Sequence, residues 1–188
     1  MAQLEFALFD TPIGSCGIVW SVRGVVGVQL PEGSERATGA RVQRRYPAAR
    51  EAAPSAEMQR VVNDIVGLLG GEPRDFDYVK IDADGVADFN RRVYAIARTI
   101  PLGSTLSYGE VERLGDRMLA REVGQALGEN PTPIIVPCHR VLGAGGKPGG
   151  FSAPGGVDTK LRLLTIEGAQ FGEPTLFDRL PWATKNAS

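Results

Sequence analysis

The spacing of the apolar residues changes partway along this chain, and that change limits the folds open to it. Near the start, Leu4, Phe6 and Leu8 recur at every second position, and the short apolar runs Ile18–Trp20 and Val25–Val28 follow, with turns at Gly14 and Arg23-Gly24. A period of two is the mark of strands, whose side chains alternate between two faces. Residues 31–54 are rich in Gly, Arg, Ala and Pro, which predicts a short helix around Ala40–Arg45 and a loop ending at Pro54. Ser55 then stands as the N-cap of a helix on which Met58, Val61, Val62, Ile65, Val66 and Leu69 share one face, with Gly70-Gly71 as its end.

From about residue 86 the helical period takes over. Asp88 reads as the cap of a helix with Phe89, Val93, Ile96, Ala97 and Ile100 on one side, stopped before Pro101. Ser107 and Glu110 have capping-box spacing. Asp116 reads as the cap of a further helix carrying Leu119, Val123, Ala126 and Leu127, with Gly128 at its end. Only Leu114-Gly115-Asp116 would separate these two, which predicts a helix-turn-helix-like pair. An apolar run, Ile134–Val136, leads into Pro137-Cys138-His139-Arg140, and a Gly-rich stretch precedes a last helix from about Asp158 to Glu167. The expected fold is α/β of the α+β kind. A small strand-rich N-terminal domain (1–85) precedes a mostly helical C-terminal domain (86–170) and a tail (171–188).

Bulk properties exclude several classes. No apolar run is long enough for a membrane span, and the acidic N-terminus (MAQLEFALFD) is unlike a signal peptide, so a cytoplasmic location is expected, nucleoid-associated in a bacterium. Two distant cysteines, Cys16 and Cys138, do not make a disulfide framework. The net charge is −1, yet residues 91–165 hold ten basic side chains against six acidic ones, a local excess that suits a nucleic-acid surface.

The sequence is most specific around Cys138. A cysteine in an intracellular protein is most often an inert core residue. This one follows a proline and is flanked by an imidazole and a guanidinium, either of which can favour the thiolate. His139 is the only histidine in the chain, so any imidazole chemistry belongs to it.

Several segments in the second half resemble the O6-alkylguanine-DNA alkyltransferases, also called methylated-DNA–protein-cysteine methyltransferases. The resemblance is carried by Ile100-Pro101-Leu102-Gly103, Ser107-Tyr108-Gly109, Arg121 with Val123-Gly124, Asn130-Pro131 and Pro137-Cys138-His139-Arg140-Val141. It continues through Gly150-Phe151-Ser152, Lys160, Leu163-Leu164 and Glu167-Gly168, covering roughly residues 88–169, and the Leu176-Phe177-Asp178 tail is similar to some bacterial members.

The resemblance implies direct repair of DNA. Cys138 would take an alkyl group irreversibly from O6 of a guanine rotated out of double-stranded DNA, once per molecule and without a cofactor. His139 would receive the thiol proton, Glu167 would orient the imidazole, and Tyr108 would donate to the base N3. Ser152 or a nearby amide would face O6, with Phe151, Val141 and Pro133 also lining the substrate pocket and Phe151 packing against the flipped base. Arg121 would insert into the base stack, with Ser107, Asn130 and Arg140 among the DNA contacts, and Asn130 would also bond across the active-site turn. A monomer is expected, with cooperative assembly along DNA left open.

The resemblance is imperfect in places. The Tyr108–Arg121 link is about one residue shorter than usual, and Leu119, Glu122 and Gln125 are bulkier or more acidic than the small residues usual beside the arginine. Those changes predict weaker or differently oriented DNA binding. The loop after Ser152 is about two residues longer, and Phe151 replaces a more usual tyrosine. No metal is expected, because the N-terminal half offers only Cys16 and no histidine. Two other readings compete: a lesion-binding protein without chemistry, which Cys138, His139 and Glu167 argue against, and a redox or hydrolytic thiol protein without DNA, which leaves Arg121 and the helix pair without a purpose.

Overall fold

A computed structural model describes residues 3–115 and 118–171. The expected cap Asp116 and the Leu176-Phe177-Asp178 tail lie outside the described residues.

Strands β1 (Glu5–Thr11), β2 (Gly14–Ser21) and β3 (Gly24–Gln29) form two successive antiparallel hairpins, and the two-residue strand β4 (Arg50–Glu51) adds parallel to β1 in the order β3-β2-β1-β4. The period of two separates the faces. Phe6 and Val19, partners across the β1–β2 ladder, pack with Leu4, Leu8 and Val42 on one side. Ala7, Cys16, Ile18 and Trp20 point to the other side, against Met58, Val61, Ile65 and Leu68. Helix α1 (Glu35–Arg45) covers the first face and α2 (Ala56–Leu69) the second.

Ser34 and Ser55 cap these helices through their hydroxyls, so α1 starts five residues before the expected Ala40. Its face is thin: only Thr38 and Val42 are buried on it, and one buried valine leaves little periodicity to detect.

The second half packs α3 (Asp88–Arg98), α4 (Tyr108–Leu114) and α5 (Ala120–Gly128) around Val93, Tyr94, Ala97, Val111, Val123 and Leu127. Asp88 is the first helical residue rather than the cap; Ala87 holds that place without a side-chain bond. The capping box of Ser107 and Glu110 is present at the start of α4. Helix α5 begins later than expected, with Leu119 as an extended N-cap and no side-chain capping bond. Leu119 is therefore 60% exposed instead of sharing the apolar face, and Leu114, at the other end of the connection, is 62% exposed. Helix α6 (Gly156–Ile166) closes the chain's described part.

The two halves are joined where it matters for Cys138. Ile134, Ile135 and Leu163 are buried in the core built by the N-terminal sheet and α2. The Val28 amide of β3 donates to Pro131 O at 2.9 Å, and the Arg98 guanidinium donates to Phe76 O at 2.7 Å. Among the described residues, no helix is long and apolar enough to cross a membrane, and no cluster of metal-binding side chains occurs.

Candidate active site

A short parallel ladder assembles the site. Strand β5 (Leu106–Ser107) pairs with β6 (Val141–Leu142), which sets the first residue of α4, Tyr108, beside the turn that carries Cys138. That turn is the 3-10 segment Cys138–Arg140, entered through Pro137.

The backbone before it is held under strain. Ile134 adopts φ 76°, and a β-branched residue in the left-handed region costs about 1–3 kcal/mol. Burial of its side chain and a set of bonds from Asn130 hold it there. Asn130 Nδ2 donates to Val136 O at 2.9 Å, while its Oδ1 accepts from the Thr132 amide at 3.0 Å and the Thr132 hydroxyl at 3.3 Å. Asn130 thus bonds across the active-site turn; it is buried, and its amide group is occupied there rather than offered to a phosphate.

Cys138 is 7% exposed, and burial pushes its thiol above the ordinary value, with the Asn130 side chain and the Lys160 ammonium acting in the opposite direction. The flanking imidazole and guanidinium do not serve as the sequence suggested. His139 and Arg140 both turn to one carboxylate, Glu167. His139 Nε2 donates to Glu167 Oε1 at 2.8 Å. Arg140 makes a two-toothed pair with the same carboxylate, through Nε to Oε2 at 2.8 Å and Nη2 to Oε1 at 2.9 Å. Its remaining donor, Nη1, reaches Ile100 O at 2.7 Å. Arg140 is therefore buried and engaged, and the DNA contact expected of it is not what this geometry offers; it positions Glu167.

Burial would raise the Glu167 carboxyl, but the hydrogen bonds from His139 and Arg140 and the adjacent guanidinium charge outweigh it and hold the group at about 2. His139 is fully buried, and its Nδ1 has no hydrogen-bond partner among the described residues. With Nε2–H committed to a carboxylate, the neutral ring keeps Nδ1 as an acceptor, ready to take a proton.

Lys160, which the sequence marked only as part of the family pattern, is 1% exposed. Its Nζ donates to Val141 O at 2.7 Å and lies 5.8 Å from the centre of the Tyr108 ring. Burial lowers it to about 8, against the opposing pull of Cys138. Neither periodicity nor motif spacing marks a buried lysine, because its stem covers apolar surface like any aliphatic chain.

The thiol is shared by two cavities. One, about 420 Å³, is walled by Tyr108, Gly124, Leu127 and Phe151. The other, about 470 Å³, contains Pro133 and Asn130 and runs toward β3 and α1. Gly149 lies beside the Tyr108 ring at φ 65°, the left-handed region that favours glycine. Burial raises the Tyr108 phenol, so it stays protonated and able to donate.

Ser152 lines both cavities, but its hydroxyl donates to Gly128 O at 2.8 Å, so the hydrogen expected to face O6 is already used. Val141 is fully buried in β6 and lines neither cavity. Ser107 uses its hydroxyl as the α4 cap. Arg121 is exposed in the first turn of α5, with exposed Glu122 beside it.

A family model described as the DNA-binding domain of 6-O-methylguanine DNA methyltransferase matches residues 88–169. A methylated-DNA–protein-cysteine methyltransferase of Methanothermobacter thermautotrophicus is 35% identical over 158 residues, which make up 84% of this chain and 81% of the relative. The methylated-DNA–protein-cysteine methyltransferase of Mycobacterium bovis is 44% identical over 119 residues, 62% of this chain and 70% of its own. Among solved structures, Mycobacterium tuberculosis OGT in complex with DNA is similar with a TM-score of 0.70 and 33% identity, over 87% of this chain and 92% of that one. The chain belongs to the methylated-DNA–protein-cysteine methyltransferase family.

Proposed function

We propose that this chain is a single-turnover DNA-repair protein that transfers the alkyl group from O6 of guanine in double-stranded DNA to Cys138 Sγ. The observation that carries this reading is the placement of Cys138 in the lining of a cavity it shares with Tyr108 and Phe151, next to a histidine clamped by a buried carboxylate.

Burial keeps the resting cysteine a thiol, so its proton has to leave as the new bond forms. His139 Nδ1 takes that proton, through a water if needed, and Glu167 stabilises the imidazolium that results. Arg140 keeps Glu167 ionised and fixed. The S–C bond forms as the C–O6 bond breaks, and the bonding pair stays with the guanine. The protonated Tyr108 phenol donates to the base as that charge develops. The displacement needs no cofactor, because the alkyl carbon changes partners without a change in oxidation state. The thioether is stable, so each molecule acts once.

O6 cannot be reached within a duplex, so the nucleotide has to leave the stack, at a cost of a few kcal/mol. Arg121, exposed in the first turn of α5, occupies the gap in this reading. Residues 86–170 form the DNA-binding and transfer unit, residues 1–85 support the active-site turn, and the protein works as a monomer in the cytoplasm.

The test is the intact mass of the protein after mixing with a duplex containing O6-methylguanine, beside Cys138→Ala. A stoichiometric gain of one methyl group is expected, absent from the variant. Tight lesion binding with no gain in mass would replace this reading with that of a lesion-binding protein.

A further inference from the structure

Two leucines stand exposed at the connection between α4 and α5, and neither is part of the core. Leu114 is the last residue of α4 and Leu119 the N-cap of α5. Single exposed leucines are ordinary on a protein surface. Leu119 differs because the N-cap usually holds Ser, Thr, Asp or Asn, whose side chain accepts a bond from an amide of the first turn. Helix α5 forgoes that bond and presents an apolar side chain in its place.

The outward direction of Leu119 is fixed from beneath. Met118 is buried in the C-terminal core, and Gly115 packs so closely on it that an added Cβ would collide with its sulfur. Leu119 has extended backbone, φ −113° and ψ 140°, and successive side chains on extended backbone point to opposite sides. With Met118 turned inward, Leu119 turns outward. The Val123 amide donates to Leu119 O at 2.9 Å, which ties the residue to the helix that follows.

Both leucines lie within the residues matched by the family's DNA-binding domain. Gly124, Leu127 and Gly128 of α5 line the cavity at Cys138, and Arg121 stands three residues before Gly124, on the same side of the helix. A helix rises about 1.5 Å per residue, so Leu119 lies roughly 7.5 Å along the axis from Gly124. That is about two base spacings of ~3.4 Å, enough to bring the side chain beside the pairs next to the vacated one. Phosphates offer nothing to a leucine. A base step does: apolar side chains pressed between stacked bases unstack them and hold a duplex open.

We propose, resting on the transfer reading above, that Leu119 is an apolar wedge that enters the base stack of double-stranded DNA beside the gap filled by Arg121. It takes no part in bond-making. Its work is to keep the neighbouring pairs apart, so that the rotated nucleotide returns more slowly than Cys138 reacts.

The experiment compares single-turnover transfer from O6-methylguanine in a duplex and in the matching single strand, read by intact mass. The proteins are the unaltered chain, Leu119→Ser and Leu119→Met. Serine removes the apolar body and supplies the missing cap, so the Tm should hold or rise and a slower reaction does not come from a weaker fold. Leu119→Ser is expected to lower the duplex-to-single-strand rate ratio roughly tenfold, with the single-strand rate unchanged. Leu119→Met, still apolar and of similar volume, should keep the ratio within about twofold. An unchanged ratio in Leu119→Ser overturns the proposal, as does a ratio that methionine fails to keep. Equal slowing on both substrates also overturns it and makes Leu119 a contact to a single strand. Absence of methyl transfer by the unaltered protein to either substrate removes the transfer reading itself, and the wedge with it.

Discussion

Cys16 and Cys138 are both buried, and the protein around them differs in almost every other respect. Cys16 sits in β2, an inner strand of the sheet, among Ile18, Leu30 and Ile65, with the Thr11 hydroxyl 3.9 Å from its sulfur. Burial drives its thiol up to about 12, and no cavity reaches it among those described. Cys138 is raised in the same direction by the same cause, but Asn130 and Lys160 oppose the shift, an acceptor nitrogen belongs to the next residue, and two cavities end on it. Burial by itself makes a thiol inert. Reactivity comes from what surrounds the sulfur: room for an electrophile, a place for the proton and a cation near the developing charge.

The largest effect should follow from exchanging the two cysteines' fates. Cys138→Ala is expected to abolish the methyl gain altogether. Cys16→Ala should leave it intact and lower stability in a denaturant titration by about 1–2 kcal/mol. A methyl group mapped to Cys16 by peptide mass would break the comparison at once.

The next effect concerns the carboxylate that organises His139 and Arg140. Glu167→Gln removes the partner of a buried guanidinium, and transfer should fall about a hundredfold or more, with a stability loss on the order of 3 kcal/mol. Because the folded-state pKa of Glu167 lies below its ordinary value, its stabilisation is complete above about pH 5 and is lost as the pH falls toward 2. Acid unfolding of the variant should therefore be less steep over that range. An unchanged acid limb would show that Glu167 is not the group being titrated.

Tyr108→Phe keeps the ring and removes the donor. Transfer should slow by about a hundredfold while the Tm stays within a few degrees. Lys160→Met should slow transfer about tenfold, through loss of the cation near Cys138. It should cost little stability at neutral pH. A lysine whose pKa is lowered to about 8 by burial weakens the fold below that pH, and the penalty is relieved as the pH rises toward 10.5. The variant should lose that alkaline rise in stability. Unaltered transfer by Lys160→Met would remove the cation from the account of why Cys138 differs from Cys16.

The smallest effect among these is expected at the acidic residue beside Arg121. Glu122, exposed beside Arg121, repels phosphates if it faces the duplex. Glu122→Ala should tighten duplex binding a few-fold at low salt and by less as salt is added. Affinity that does not change at low salt sets Glu122 away from the DNA.

Much of this was legible in the residues. The alternation of Leu4, Phe6 and Leu8 marks the α1-facing side of the sheet, because strand geometry admits only two faces. Ser55 and the Ser107–Glu110 pair mark true helix starts, since capping is a local interaction over three residues. Where the reading missed, the cause lay in contacts distant along the chain. Leu119 looked like part of an apolar face, but the helix starts after it, at Ala120, without a capping side chain to announce the boundary. Arg140 and Ser152 looked available to DNA or base because nothing nearby in sequence takes up their donors; Glu167 and Ile100 take those of Arg140, and Gly128 that of Ser152.

By itself, then, the sequence determined the two kinds of local structure, the family pattern from Ile100 to Gly168 and the thiol proposed to carry the chemistry. These rest on periodicity, capping and motif, which operate over a few neighbouring residues. Only the tertiary structure decided what each polar group does. The β5–β6 ladder brings Tyr108 beside Cys138, the fold carries Glu167 back to His139 and Arg140, and the N-terminal core holds Ile134 in its strained conformation. Those pairings join residues tens of positions apart. The reason is that a hydrogen-bond donor or a charge is committed by whatever group lies within about 3 Å of it in space, and the chain's order does not record that distance.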